Sequence, residues 1–156
     1  MSVDIFRIQQ MRENDLSAVL AIEQQSYPHP WTGNQFLQEL DNPVATVELI
    51  WANEHLAGYI CYWLIVGELQ ILNIATSPQF RRQGVAGRLL EHVFVGSVDR
   101  GLDRAWLEVR AGNLAAIALY VQQGFVADTV RTGYYRDGED ALLMVRDFTA
   151  EQPAGN

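Results

Sequence analysis

The run from Gly67 to Val98 constrains the fold more than any other part of this 156-residue chain. The apolar strand GELQILNIATS leads into FRRQGVAGRLL, and a helix runs from about Val85 to Val98. A strand, a glycine-bearing loop and a helix start in succession make an anion site. The first N–H groups of a helix have no intrahelical partner and lie at the positive end of its dipole. Gly84, Ala86 and Gly87 lack bulk, so a ligand can approach the backbone closely. Arg81, Arg82 and Arg88 add positive charge in a chain of net charge −8. A diphosphate is the natural guest. The loop lacks the Gly-Lys-Ser/Thr of a nucleoside-triphosphate loop, and GVAG has only two of the three glycines of a dinucleotide fingerprint. On these residues alone a plain glycine turn with solvated arginines stands equally open.

The flanking segments order themselves by period and punctuation. DIFRIQQM alternates as a strand. RENDLSAVLAIEQQSY carries helix signals, with Asn14 or Asp15 as cap and Leu16, Val19, Leu20 and Glu23 at helical spacing. PHPW breaks that helix, and TGNQFLQELDN forms a second. VATVELIWAN and LAGYICYWLIV are strands joined by a turn at Asn53 and Glu54. RAWLEVR is a strand. NLAAIALYVQQ is a helix capped by Asn113 and stopped at Gly124, and FVADTVR and DALLMVRDF pair around TGYYRDGE. Antiparallel strands come first and strand–helix–strand units follow, which predicts an α/β (α+β) chain with a mixed sheet covered by helices. The expected organisation is one domain over residues 1–149 with a flexible tail at 150–156.

Composition narrows the function classes. With 19 acidic against 11 basic side chains, nonspecific binding to nucleic acid or an anionic membrane is disfavoured. The single cysteine, Cys61, sits in the apolar run GYICYWLIV and reads as a small buried hydrophobe. MSVDIFRIQQMREND has no long apolar core or cleavage signal, and no run reaches the ~18 apolar residues of a membrane span. The expected setting is the cytoplasm. His29, His55 and His92 have no metal-site spacing, so no metal is expected.

RRQGVA (Arg81, Gly84, Ala86) resembles the Gln/Arg-x-x-Gly-x-Gly/Ala signature of the GCN5-related N-acetyltransferases, which use acetyl-coenzyme A. Its context strengthens the resemblance: LQILNIATSP precedes it and WLEVRAGNLAAIALYVQQGF follows. HPWT, WLEVRAGNLAAIALY and RTGYYRDGEDALLM are similar to the RimI type within that family, which acetylates the N-terminal alanine of a small-subunit ribosomal protein. The resemblance implies the family's fold, a mixed and mostly antiparallel sheet with one splayed strand pair and helices on both faces. It also implies cofactor contacts from Arg81, Arg82, Gln83, Gly84, Val85, Ala86 and Gly87. Backbone contacts to the pantetheine arm come, by the same resemblance, from Ile74, Ala75 and Thr76, which otherwise read as ordinary core.

Acetyl transfer to an amine needs a base for the ammonium and an acid for the departing thiolate. In AWLEVR the pleat puts Trp106, Glu108 and Arg110 on one face and Ala105, Leu107 and Val109 on the other. Glu108 then reads in two ways. It is a surface residue paired with Arg110, or a carboxylate in apolar surroundings whose pKa rises toward that of a base. The resemblance implies the general base. Tyr120 lies seven residues beyond Asn113, about 10 Å along the helix axis. It reads as part of a buried stripe with Ile117 and Val121, and the resemblance implies the general acid. Asn113 has two compatible roles, capping its own helix and hydrogen-bonding pantetheine.

By analogy with the family, Trp31, Tyr134 and Tyr135 flank the acceptor. Glu39, Asp41, Asp137, Glu139 and Asp140 would attract the basic N-terminus of a ribosomal protein. The expected assembly is a monomer or weak dimer. Three other functions remain open: a GNAT enzyme for another amine, a non-catalytic acetyl-CoA-sensing module, and a structural ribosome-associated protein.

Overall fold

The computed structural model describes residues 5–149, and the tail assigned to 150–156 lies outside them. Along the chain come β1 (Phe6–Gln10), α1 (Leu16–Ser26), α2 (Gly33–Asp41), β2 (Ala45–Ala52), β3 (His55–Ile65), β4 (Glu68–Thr76), α3 (Val85–Val98), β5 (Arg104–Arg110), α4 (Leu114–Gln122), β6 (Val126–Arg131) and β7 (Ala141–Asp147). The sheet order is β1-β2-β3-β4-β5-β7-β6. Of the described residues, 5–63 with 73–93 form one compact unit and 64–72 with 94–149 another.

In the first unit β1, β2 and β3 pair antiparallel, and the β2–β3 connection turns at Asn53 with φ +55°. β3 is buried from Ala57 through Tyr62. A strand buried without alternation has both faces covered. Val19 and Ile22 of α1 and Phe36 of α2 supply core. The Phe36 ring packs against Trp31 and Tyr59, with centroids 5.0 and 5.8 Å away. Thr32 starts α2 with a reciprocal pair of bonds: Gln35 N donates to Thr32 Oγ1, and Thr32 N donates to Gln35 Oε1. Asp15 is the N-cap residue of α1, one of the two expected, but its side chain does not bond to the helix. A 3-10 turn at Glu13–Asp15 leads into it, and the Asp15 carboxylate accepts from Arg12 N at 2.9 Å, outside the helix.

In the second unit β4 and β5 pair in parallel from Glu68↔Arg104 to Ile71↔Leu107. Both strands continue past this ladder, β4 to Thr76 and β5 to Arg110. β5 pairs antiparallel with β7 along its whole length, and β6 is the exposed edge. Burial along β5 alternates as its sequence predicts, with Ala105, Leu107 and Val109 inside. The Phe94 ring contacts Phe125 and Phe148, and the Arg146 guanidinium lies over Phe94 and Phe148. The helical stripe expected for Ile117, Tyr120 and Val121 is narrower than predicted. Tyr120 is buried, whereas Val121 is exposed.

Gly58 marks a close approach of backbones in the first unit. A Cβ there would stand 2.6 Å from the Ala75 carbonyl oxygen and 3.1 Å from Val85 Cγ1. Gly58→Ala is therefore expected to destabilise the chain by about 1–3 kcal/mol, the range for overpacking. Thermal melting reads this as a midpoint several degrees lower. An unchanged midpoint would show slack between β3 and the end of β4.

Candidate active site

The glycine loop sits in the first unit. After a 3-10 turn at Pro78–Phe80 the chain extends at Arg81, then takes left-handed backbone at Arg82 (φ +64°) and Gly84 (φ +73°). The first helical bond of α3 is Arg88 N to Gly84 O, 3.0 Å. The amides of Val85, Ala86 and Gly87 precede it, at the positive end of a 14-residue helix. A Cβ on Gly84 would meet nothing within 4 Å. Backbone conformation, not crowding, selects the glycine, and the main chain is open to a ligand. With Arg81, Arg82 and Gln83 exposed around it, this cradle fits a pyrophosphate. Arg88, counted with the other arginines from sequence, is engaged elsewhere: its guanidinium lies 4.7 Å from the Phe6 ring centroid.

At the end of β4, Ile74 and Ala75 are buried and Thr76 is half-buried. The Ile74 carbonyl accepts from the Tyr27 phenol, and Ser77 N donates to Ala57 O at 2.7 Å. The Trp31 ring rests on Phe36, and the Trp31 main-chain N–H donates to Glu23 Oε2 at 2.9 Å. Glu23 is 1% exposed and also accepts from the Tyr59 phenol and Asn73 Nδ2. Its sequence signal was a carboxylate on the apolar stripe of α1.

The second unit gathers the expected acid–base residues. Glu108 is half-buried on β5, and its neighbour is not Arg110. Arg131 of β6 donates to Glu108 Oε1 at 3.0 Å, and the Tyr134 phenol hydrogen-bonds to the same carboxylate. The apolar surroundings expected for Glu108 are therefore replaced by a guanidinium and a phenol. Arg110 pairs with Asp137 and Glu139 at 2.8 and 2.9 Å and covers the Tyr135 ring at 4.0 Å. Tyr134 and Tyr135 meet edge to face, with centroids 5.2 Å apart. Hydrogen bonding to Glu108 holds the Tyr134 phenol above its usual pKa. Tyr120 is buried against Phe125. Burial, with Tyr135 nearby, raises the pKa of its phenol. Asn113 caps α4 by accepting from Ala116 N at 3.2 Å, which leaves its amide NH2 to a ligand.

Most acids expected to draw a basic tail have internal partners. Glu39 accepts from Trp63 Nε1, Asp137 and Glu139 hold Arg110, and Asp140 accepts from Gly133 N. Asp41 is exposed. His92 bonds Glu48 at 2.8 Å, while His55 stays at the surface and His29 lies in the loop after α1. Among the described residues no group of three or more His, Cys, Asp or Glu could hold a metal. No helix there is long and apolar enough to cross a membrane. Burial raises the Cys61 thiol pKa, which disfavours the reactive thiolate.

Two outcomes follow from this geometry. Gly84→Ala should cost about 1–2 kcal/mol through left-handed strain alone, measured by chemical denaturation. A smaller loss would show that the loop relaxes. The buried Tyr120 phenol titrates above its unfolded value near 10. Its contribution to stability is thus whole below pH 10 and falls as pH rises beyond it, because the unfolded chain gives up the proton first. Tyr120→Phe should flatten the alkaline loss of stability above pH 10.

Comparison with known proteins places this arrangement. The acetyltransferase (GNAT) family model matches residues 9–125. The [ribosomal protein bS18]-alanine N-acetyltransferase of Escherichia coli K12 is 37% identical over 140 residues, covering 88% of this chain and 94% of that one. The protein of the same name from Salmonella typhimurium is 37% identical over 133 residues, covering 83% and 89%. The crystal structure of the E. coli ribosomal-protein-S18-alanine N-acetyltransferase superposes with TM-score 0.87 at 34% identity, covering 97% of each chain. With the seven-stranded mixed sheet, the glycine loop at the head of α3 and this extent of likeness, the chain belongs to the acetyltransferase (GNAT) family and is an acetyltransferase.

Proposed function

We propose that this chain transfers an acetyl group from acetyl-CoA to the N-terminal alanine of ribosomal protein bS18. Residues 1–149 would work as one acetyltransferase domain in the cytoplasm, as a monomer or weak dimer, with no metal and no direct nucleic-acid contact. The observation that carries the reading is local. A half-buried carboxylate, Glu108, and a buried phenol, Tyr120, occur with Tyr134 and Tyr135 in a chain 37% identical to a bS18-alanine acetyltransferase.

The roles divide by chemistry. The amides of Val85, Ala86 and Gly87 hold the pyrophosphate, with Gly84 opening the backbone and Arg81, Arg82 and Gln83 at the rim. The main chain at Ile74, Ala75 and Thr76, together with the Asn113 amide, holds the pantetheine arm. Acetyl-CoA supplies an activated thioester. Glu108 takes a proton from the acceptor ammonium, directly or through a water. Such an amine has an unperturbed pKa of about 7.7–8.0, so a modest base suffices. Tyr120 hydrogen-bonds or protonates the departing sulfur. Its raised pKa keeps the phenol in the donor form throughout the neutral range. Tyr134, Tyr135 and Trp31 position the first residues of the acceptor.

Two assays test this. Purified protein is given acetyl-CoA and short peptides beginning Ala, Ser, Met or Gly, beside spermidine and an internal-lysine peptide. Turnover is expected with the alanine peptide above all, and turnover of spermidine alone overturns the assignment. Glu108→Gln and Tyr120→Phe should each slow the reaction at least ~100-fold with acetyl-CoA binding held constant by calorimetry. Wild-type rates in both would remove their assigned roles.

A further inference from the structure

Glu23 is the most deeply buried carboxylate among the described residues, and the proposed chemistry does not use it. A carboxylate leaves water only at a cost of several kcal/mol unless its oxygens are met by donors. Three donors meet this one: Tyr59 Oη on Oε1 at 2.5 Å, Asn73 Nδ2 on Oε1 at 2.8 Å and Trp31 N on Oε2 at 2.9 Å. They come from three separate segments. Tyr59 is on β3, Asn73 precedes Ile74 on β4, and Trp31 ends the loop between α1 and α2.

Two prolines limit what the main chain of that loop can donate. Pro28 and Pro30 bring no N–H, so the main chain from Tyr27 to Trp31 has three donors in all. At its start the Tyr27 amide bonds back to Glu23 O and the Tyr27 phenol donates to the Ile74 carbonyl. At its end Trp31 N reaches the Glu23 carboxylate. One acidic side chain thus connects the far end of the loop to the residue beside Ile74. Charge-assisted bonds are about twice as strong as neutral ones, which suits a tether between segments.

We propose that Glu23 is a positioning residue that fixes the loop from Tyr27 to Trp31 against the end of β4. Through that loop it sets the acceptor side of the reaction without touching the reacting atoms. The inference rests on the function proposed above, in which Trp31 faces the acceptor and Ile74 to Thr76 hold the carrier. Acetyl-CoA keeps its separate grip at the head of α3.

The test uses the intact chain, Glu23→Gln and Tyr59→Phe. Tyr59→Phe removes one donor while preserving the ring, so it stays informative should Glu23→Gln fail to fold. Two readouts are taken: KM for an alanine-initiated peptide against the Kd of acetyl-CoA, and amide hydrogen exchange at Tyr27, His29 and Trp31. Glu23→Gln is expected to raise the acceptor KM about tenfold or more, since hydrogen bonds to charged groups carry effects of that order. Tyr59→Phe should give a rise of several-fold. Acetyl-CoA affinity should stay within about threefold, and the loop amides should exchange faster. A lower melting point with unchanged acceptor KM and unchanged loop exchange would reduce Glu23 to a core acceptor and overturn the inference. Should the wild-type chain itself leave the peptide unmodified, the proposed function fails, while slow or fast loop exchange still decides the tether.

Discussion

Backbone hydrogen bonding along β4 is the constraint on which the rest depends. Every buried N–H and C=O needs a partner, and a strand normally finds them in its neighbours. β4 pairs with β5 over Glu68 to Ile71 and then continues to Thr76 beyond that ladder. Past it β4 still runs beside β3, its other hydrogen-bonded neighbour, and several of its groups meet further partners. The Ile74 carbonyl takes a side-chain phenol, the Ala75 carbonyl lies so close to Gly58 that no Cβ fits there, and Ser77 N closes onto Ala57 O. The chain then enters a loop with two left-handed residues and starts α3 with three amides ahead of the first helical bond. Those three amides are main-chain donors of the kind that the phosphates of a carrier would use.

Two glutamates show how environment separates roles for one side-chain type. Glu23 is sealed among neutral donors, a phenol, an amide and a main-chain N–H. Glu108 stands at the edge of β5 with a guanidinium and a phenol, its side chain 16% exposed against 44% for Arg131. The first arrangement fixes segments in place. The second leaves an oxygen-bearing group that a cationic amine can approach, and its ion-pair partner is a half-exposed arginine that such an amine would displace. On the proposed function Arg131 holds the carboxylate in a productive orientation until the acceptor arrives. Burial, by contrast, makes Tyr120 a reluctant anion and hence a durable donor.

Local periodicity made much of this legible. The alternation in RAWLEVR set the inner and outer faces of β5, and the glycine loop announced the head of α3. Asn113 reads as a cap and is one. What stayed hidden depends on long-range register. One of the two readings of Glu108 set it beside Arg110, two residues along the same strand and about 7 Å away. In the sheet Glu108 sits opposite Leu143 on β7, and Leu143 sits opposite Thr129 on β6. Arg131 is two residues beyond Thr129 on that strand and reaches Glu108 from there. Finding that pair requires two strand registers and a bulge at Ala127/Thr129, none of them written in a local pattern. Asp15 holds the N-cap position of α1, but the 3-10 turn ahead of the helix sends its carboxylate back to Arg12.

The acidic turn between β6 and β7 carries the last consequence. Read as loose surface charge, Asp137, Glu139 and Asp140 would attract any basic tail. Bonded internally, they act first on the turn: Arg110 is clamped by two carboxylates, and Glu139 also accepts from Gly112 N at 3.0 Å. That clamp lays the Arg110 guanidinium over Tyr135, while Arg131 lies 5.7 Å from the centre of the Tyr134 ring. Each tyrosine is thus held by a cation that is itself held by an acid. The charge near the proposed acceptor site is spent on fixing two aromatic walls. A peptide would be selected there by the shape of its first residues more than by the basicity of its tail, because ion pairs already closed offer a distant lysine or arginine little further gain.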